Sequence, residues 1–293
     1  MSTDITLFIV GARGYLGSAL FANARNAGDA IGTSSSDRND LLPLRLDAPA
    51  EFDYGMIRIG DVVLLTAAIS APDICAREYD RAWAVNVTGT SSFIQRVIDR
   101  GARVVFFSSD TVYGEREDER DATVACNPAG EYAEMKREVE QRFAGNASFK
   151  AIRLSYVFSC EDKFTRYLVG CAERNEEAEL FHPFFRAIIH RDDVVEGALA
   201  LAACWDEVPE QVINFGGPQV LSRIDFAECL REAHLHDLRL KVTEPGADFF
   251  KNRPRVIAMT SPILNRLLGR PPRSLLEAAR LEFVSFSNPE KSS

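Results

Sequence analysis

Short runs of apolar and β-branched residues recur along the first half of the chain, at Thr6–Val10, Ala30–Thr33, Asp61–Thr66, Arg103–Ser108 and Lys150–Leu154, and amphipathic stretches separate most of them. Each run has the length of a strand, and strands that alternate with helices predict a parallel sheet covered by helices on both faces. Val62-Val-Leu-Leu65 and Val104-Val-Phe-Phe107 are apolar throughout instead of alternating, as strands buried on both sides require. After the first run, a helical pattern carried by Leu16, Leu20 and Phe21 stops at Gly28. Beyond about residue 155 the rhythm changes. Charged residues crowd 173–179, and prolines interrupt at His182-Pro183 and within Lys251–Pro254. Asp193–Cys204 still reads as a helix, entered through a capping pair of Asp193 and Glu196.

Composition narrows this picture. At 293 residues the chain makes one large domain or two of ordinary size, and 46% hydrophobic with 26% charged residues is the balance of a chain that folds alone. Lys plus Arg number 34 against 43 Asp plus Glu, a net charge of −9. That balance argues against a nucleic-acid surface or an anionic membrane as partner, since both demand concentrated positive charge. No apolar stretch approaches the ~20 residues of a membrane span, and Met1–Val10 reads as a first strand and not as a secretory signal. The six cysteines are scattered, with no C-x-x-C pair and no histidine at ligand spacing. The expectation is reduced thiols, no metal, and a cytoplasmic protein.

The first candidate chemistry lies where the first strand ends, in Val10-Gly11-Ala-Arg13-Gly14-Tyr15-Leu16-Gly17. Glycines spaced G-x-x-G-x-x-G between a strand and a helix permit a tight turn, let a diphosphate approach the backbone, and pack the helix closely on the strand. The motif therefore predicts a dinucleotide site. The second strand should end beside the adenosine ribose. There Thr33-Ser34-Ser-Ser36 is followed by Arg38, with Arg13 inside the glycine turn, and hydroxyl and guanidinium groups suit a 2′-phosphate. This favours NADP(H). Asp37, twenty residues after Gly17, is the counter-signal that leaves NAD(H) open. Asp47, after a third short strand, is a candidate acceptor for the adenine amine, or an ordinary loop cap.

The second constellation follows the apolar strand ending at Phe107, where Ser108-Ser109-Asp110-Thr-Val-Tyr-Gly114 precedes a helix carrying Tyr132 and Lys136. Residues four apart share a helix face, and an ammonium beside a phenol favours the phenolate and lowers its pKa toward neutrality. Ser109, at a strand's C-terminal end, is placed to hydrogen-bond a carbonyl.

With these motifs in view the chain resembles the extended short-chain dehydrogenase/reductase family over nearly its whole length. The resemblance also uses Leu65-Thr-Ala67-Ala68, Asn86-Val-Thr-Gly89, Asp192-Asp-Val194 and Asn214-Phe-Gly-Gly-Pro218. It is most similar to the dTDP-4-dehydrorhamnose reductases and related nucleotide-sugar ketoreductases, with Arg253-Pro-Arg-Val and Leu268–Leu275 matching their C-terminal end. The resemblance implies an α/β fold, a Rossmann-type doubly wound sheet in residues 1–155. Residues 156–293 would then be mainly a small substrate-binding subdomain, some segments returning to the sheet. It implies a Ser109, Tyr132, Lys136 triad and a cofactor held by Gly11, Arg13, Gly14, Tyr15, Leu16, Gly17, Ser34, Arg38, Asp47, Ala67, Ala68, Tyr132 and Lys136. Ser109, Tyr132 and Arg253 would face the nucleotide-sugar substrate, Asp110 would either contact it or support the Ser109 turn, and the family suggests a homodimer.

Within the family, dehydratases carry Asp-Glu after the catalytic hydroxyl residue, as acid and base for expelling water. Here the pair is Asp110-Thr111, so the base is missing. A Glu common in the decarboxylases is missing too. The expected reaction is reduction of a keto group on a 4-keto-6-deoxyhexose by NADPH, with Tyr132 as general acid. A 4-epimerase with tightly bound NAD and a non-catalytic NADP-binding regulatory subunit remain as alternatives. The substrate diphosphate calls for cations, and Arg153, Arg166, Arg186, Arg191, Arg253 and Arg255 are the candidates in the second half. His190 reads as a structural, hydrogen-bonded histidine.

Overall fold

The expected strands form one sheet. The computed structural model describes residues 5–36, 40–115, 118 and 121–287, with side chains to residue 284. Its strands β1 (Leu7–Val10), β2 (Ala30–Ser34), β3 (Leu42–Pro43), β4 (Val62–Leu65), β5 (Arg103–Ser109) and β6 (Phe149–Leu154) are joined by a seventh, Val212–Phe215. The order across the sheet is Val212–Phe215, β6, β5, β4, β1, β2, β3, and every neighbouring pair is parallel. Thr6 and Asp61, expected inside strands, stand just before them, and the Thr6 N–H donates to Asp61 Oδ1 at 3.0 Å. The strand order reverses between β1 and β4, so the crevice at the carboxyl ends of β1, β4 and β5 is where such a sheet binds ligands.

Helices cover both faces. Leu20, Ala24, Val194, Ala198, Leu201 and Phe215 bury one side, beneath the helices Tyr15–Ala27 and Arg191–Ala203. Phe93, Val97, Val139 and Phe143 bury the other, beneath Thr90–Asp99 and Glu131–Arg142. Later segments build a separate cluster around Phe158, Leu168, Leu180, Phe226 and Leu230. Beside it, Phe185–Ala187 pairs antiparallel with Val220–Ser222 and parallel with Val256–Ile257. The charged stretch after residue 173 contains the strand Glu177–Phe181, paired with Arg239–Thr243.

The capping pair expected at Asp193 and Glu196 is not formed. The helix begins at Arg191 with His190 before it and no side-chain cap. This shift of two residues buries Asp193, which accepts from the Arg273 N–H at 2.7 Å and Arg270 Nη2 at 2.9 Å, while Glu196 takes Arg270 at 2.6 Å. A true capping box stands elsewhere, between Ser222 and Asp225 at the start of the helix Arg223–Ala233. His190 is buried, its Nε2 2.8 Å from Glu282 Oε1, in the structural role expected of it.

One polar cluster crosses the layers. The Glu140 side chain, 1% exposed, accepts from Arg153 Nη2 on β6 at 2.8 Å, from Arg137 Nη1 at 2.8 Å, and from the Ser108 hydroxyl on β5 at 2.6 Å. Removing one member of such a buried pair strands the other's charge in a medium that cannot solvate it. Arg153→Met should therefore lower the unfolding free energy by about 3–5 kcal/mol, read as a shifted urea midpoint at unchanged slope. A loss below about 1 kcal/mol, the worth of a surface pair, would contradict this role.

Candidate active site

The turn after β1 is as tight as its glycines allow. Gly11 has φ +89, and a Cβ on Gly17 would stand 2.1 Å from the Gly11 carbonyl oxygen and 2.9 Å from Thr66 Oγ1. Any side chain at Gly17 would push the helix Tyr15–Ala27 off the ends of β1 and β4. The Gly14 N–H donates to the Gly11 carbonyl at 2.9 Å, and both the Thr66 N–H and hydroxyl bond the Val10 carbonyl. Ala67 closes the turn from β4, its Cβ 3.0 Å from where one on Gly11 would lie. The helix starts with no side-chain cap and no acid in its first turn. Its N–H groups and the positive end of its dipole thus face the crevice without a competing anion.

A cavity of about 630 Å³ opens there. Its walls include Gly11, Arg13, Gly14, Tyr15, Leu16, Gly17, Ser34, Asp47, Ala67, Ala68, Tyr132 and Lys136, so the residues expected to hold a cofactor are brought together. Arg38, and with it Asp37, lies outside the described residues. At the end of β2, Arg13 Nη1 donates to the Ser36 hydroxyl, which is 3.3 Å from Ser34 Oγ. Thr33 Oγ1 is buried there with no hydrogen-bond partner among the described residues. Tyr15 donates its hydroxyl to Ser159 at 2.7 Å, and the Arg191 guanidinium lies over its ring, so it fastens the glycine turn to the later half of the chain. Asp47 is gripped by Arg45 through bonds of 2.8 and 3.2 Å, which hold its carboxyl below the usual range.

Lys136 is buried, and its Nζ donates to the Phe107 carbonyl at 2.7 Å. It sits 5.7 Å from the centre of the Tyr132 ring and 4.5 Å from that of Phe106. Burial pulls its pKa from lysine's ordinary value down to about 8, against the opposing charge of Glu140 one turn along the helix. The phenol departs from expectation. Burial, reinforced by Cys75 and Asp110, raises the Tyr132 pKa, so desolvation outweighs the ammonium.

Ser109 ends β5, 8% exposed; Phe107 and Ser108 before it line the cavity, and Ser109 itself does not. Its Oγ accepts from the Thr111 hydroxyl at 2.9 Å and N–H at 3.2 Å, and donates to Asp110 at 3.3 Å. Asp110 is 4% exposed and also accepts from Ser155 at 2.9 Å, with Arg186 Nε at 3.8 Å. Its carboxylate thus supports the turn that aims Ser109. Burial raises its pKa despite Arg186. Arg253 is tied to Asp73 at 2.6 Å, and its neighbour Asn252 packs against Gly130, two residues before Tyr132.

Several groups escaped the sequence reading. Arg45 and Arg81 line the cavity, but isolated arginines in loops carry no pattern. Asn86 is buried and clasps Ile69 through both its N–H and carbonyl, beside Cys75 and beside Met135 of the helix that carries Tyr132 and Lys136. It belonged to a quoted motif without a role. Glu140 could have been found as the acid one turn beyond Lys136.

Residues 5–291 match the family described as RmlD substrate binding domain. The chain is 32% identical over 257 residues to dTDP-4-dehydrorhamnose reductase of Mycobacterium tuberculosis, covering 85% of this chain and 78% of that protein. Among solved structures, a dTDP-4-dehydrorhamnose reductase from Clostridium acetobutylicum superposes with a TM-score of 0.82 at 20% identity, over 97% of this chain and all of that one. UDP-glucuronic acid 4-epimerase from Bacillus cereus, in complex with UDP-glucuronic acid and NAD, superposes at 0.75 and 16% identity, over 97% and 100% of the two chains. At these identities the superpositions speak for the fold, and the sequence match speaks for the relationship. The chain belongs to the RmlD substrate binding domain family, as an oxidoreductase of the extended short-chain dehydrogenase/reductase type homologous to dTDP-4-dehydrorhamnose reductase.

Proposed function

We propose that the chain reduces a keto group on a nucleotide-activated sugar of the 4-keto-6-deoxyhexose type, with NADPH as the preferred cofactor. The observation that carries this reading is the meeting, in one cavity, of a glycine turn with no room for a Cβ at Gly17 and of Tyr132 with Lys136. When bound, the nicotinamide supplies the hydride. Gly11, Gly14 and Gly17 accommodate the diphosphate against the helix start. Tyr132, whose raised pKa keeps the phenol protonated at neutrality, donates that proton to the carbonyl oxygen as charge develops there. Ser109 orients the carbonyl, and Lys136 holds the ribose while keeping positive charge beside the phenol.

The NADP preference rests on Arg13, which reaches across the end of β2 to Ser36 beside Ser34, a hydroxyl and guanidinium pocket fitting a 2′-phosphate. The match to a dTDP-4-dehydrorhamnose reductase supports the sugar class.

Three outcomes follow. Tyr132→Phe should cut kcat by about 10²–10⁴, the usual worth of a general acid, with NADPH binding retained by fluorescence titration; near wild-type turnover would remove Tyr132 from the chemistry. Arg13→Ala should raise KM for NADPH about 10-fold or more, one charged hydrogen bond, and leave that for NADH nearly unchanged. Equal effects on both cofactors would reverse the assignment. Lys136 is protonated below its folded pKa and neutral above it, so kcat/KM should fall as pH rises through about 8. A profile flat to pH 10 would free the reaction from the ammonium.

A further inference from the structure

The arginines of the second half are not equivalent once their partners are known. Arg153 is spent on Glu140, Arg186 on Asp110 and the carbonyls of Phe185 and Pro254, Arg191 on Glu161, Arg253 on Asp73 and Arg255 on Glu115. Arg166 is exposed. Arg223, which no sequence pattern singled out, is different. Its guanidinium is half-buried between two rings, 4.3 Å from the centre of Phe164 and 5.0 Å from that of Phe184, and it makes no hydrogen bond or ion pair among the described residues. The acid that acts on it, Asp162, has its oxygens occupied by the Tyr156 and Thr165 hydroxyls at 2.6 Å and by the N–H groups of Phe164 and Thr165.

A cation taken partly out of water without a counter-charge is costly, and aromatic faces repay only part of that cost. Here the cost is increased by like charges. Phe184 also caps Arg186 at 4.2 Å, and it meets Phe249, which caps Arg253 at 5.0 Å, with ring centres 5.7 Å apart. Three guanidinium groups are thereby gathered around one set of rings, and the other two are already neutralised. Those two reach the reaction centre. Arg186 touches the Asp110 that supports Ser109, and Asn252, beside Arg253, packs on Gly130 ahead of Tyr132. Burial above all, and the positive potential of Arg253 behind it, depress the Arg223 pKa, which an anion at this place would reverse.

We infer that Arg223 is a substrate-binding residue that pairs with an oxyanion of the substrate, a phosphate of the nucleoside diphosphate. The inference rests on the reductase reading of the site and assigns its missing counter-charge. Phe164 and Phe184 flank the guanidinium and limit its freedom, so part of the ordering cost is met before the substrate arrives.

The test uses the full chain with NADPH bound and two variants, Arg223→Met, which keeps the packing volume between the rings, and Arg223→Lys. Unchanged circular dichroism and unchanged NADPH affinity establish that both are folded. Calorimetric titration with dTDP and with thymidine, and with UDP-glucuronate and UDP-glucose, then separates the sources of the anion. For a phosphate contact, Arg223→Met weakens dTDP about 10- to 100-fold, the range for a charged hydrogen bond, and leaves thymidine unchanged. Arg223→Lys recovers part of that loss. A loss confined to UDP-glucuronate, with dTDP and UDP-glucose unaffected, overturns the phosphate assignment. Equal affinities of wild type and Arg223→Met for all four compounds overturn the inference. These titrations require no turnover, so an enzyme that binds dTDP through Arg223 yet oxidises no NADPH with 4-keto sugars would sink the reductase reading and leave this one standing.

Discussion

Glu140 and Arg153 face each other where water cannot reach either, and the arrangement of the elements carrying Ser109, Tyr132 and Lys136 depends on that pair. Glu140 belongs to the helix of Tyr132 and Lys136, Arg153 to β6, and Ser108, the third member, to β5 immediately before Ser109. A helix packed on a sheet by apolar side chains alone tolerates small rotations and slides, because hydrophobic contact has no direction. A bidentate, fully desolvated ion pair does not. One turn back along the helix, Lys136 bonds the Phe107 carbonyl of the same strand. The helix is thus tied to β5 at two heights, and the relative positions of Tyr132, Lys136 and Ser109 are set by these buried contacts.

The same economy of charge runs through the rest of the site. Asp110 is buried but neutralised by Arg186 and two hydroxyls, so it stiffens the Ser109 turn. Asp47 and Arg45 satisfy each other at the far end of the cavity. Against this background of settled accounts, the bare helix start after Gly14 and the ring-held Arg223 stand out as places where positive potential is left for a ligand. The two lie at the opposite ends of what the proposed reaction needs, one for the cofactor's phosphates and one for the substrate's anion.

The parts legible in the sequence are those governed by short-range pattern. β4 and the middle of β5 read as continuous apolar runs because a strand covered on both faces has no polar side to show. Gly11, Gly14 and Gly17 are legible because a missing Cβ is a local property with one common use between strand and helix. Tyr132 and Lys136 are legible because four residues make one turn. Asp193 was misread by the same logic. Its spacing to Glu196 fits a cap, but the helix starts two residues earlier and the carboxylate is claimed by Arg270 and Arg273, some eighty positions away.

From the sequence alone came the fold class, the family, the glycine turn and the candidate residues of the site, because each is written in spacing along the chain. Tertiary structure decided which charges remain available. Whether Arg186, Arg223 or Arg253 is free, whether Asp110 faces substrate or braces a turn, and whether burial or a nearby ammonium governs the Tyr132 phenol all depend on what surrounds each group in three dimensions. Electrostatic energies are set by distance and by the loss of water, and neither is a function of position in the chain.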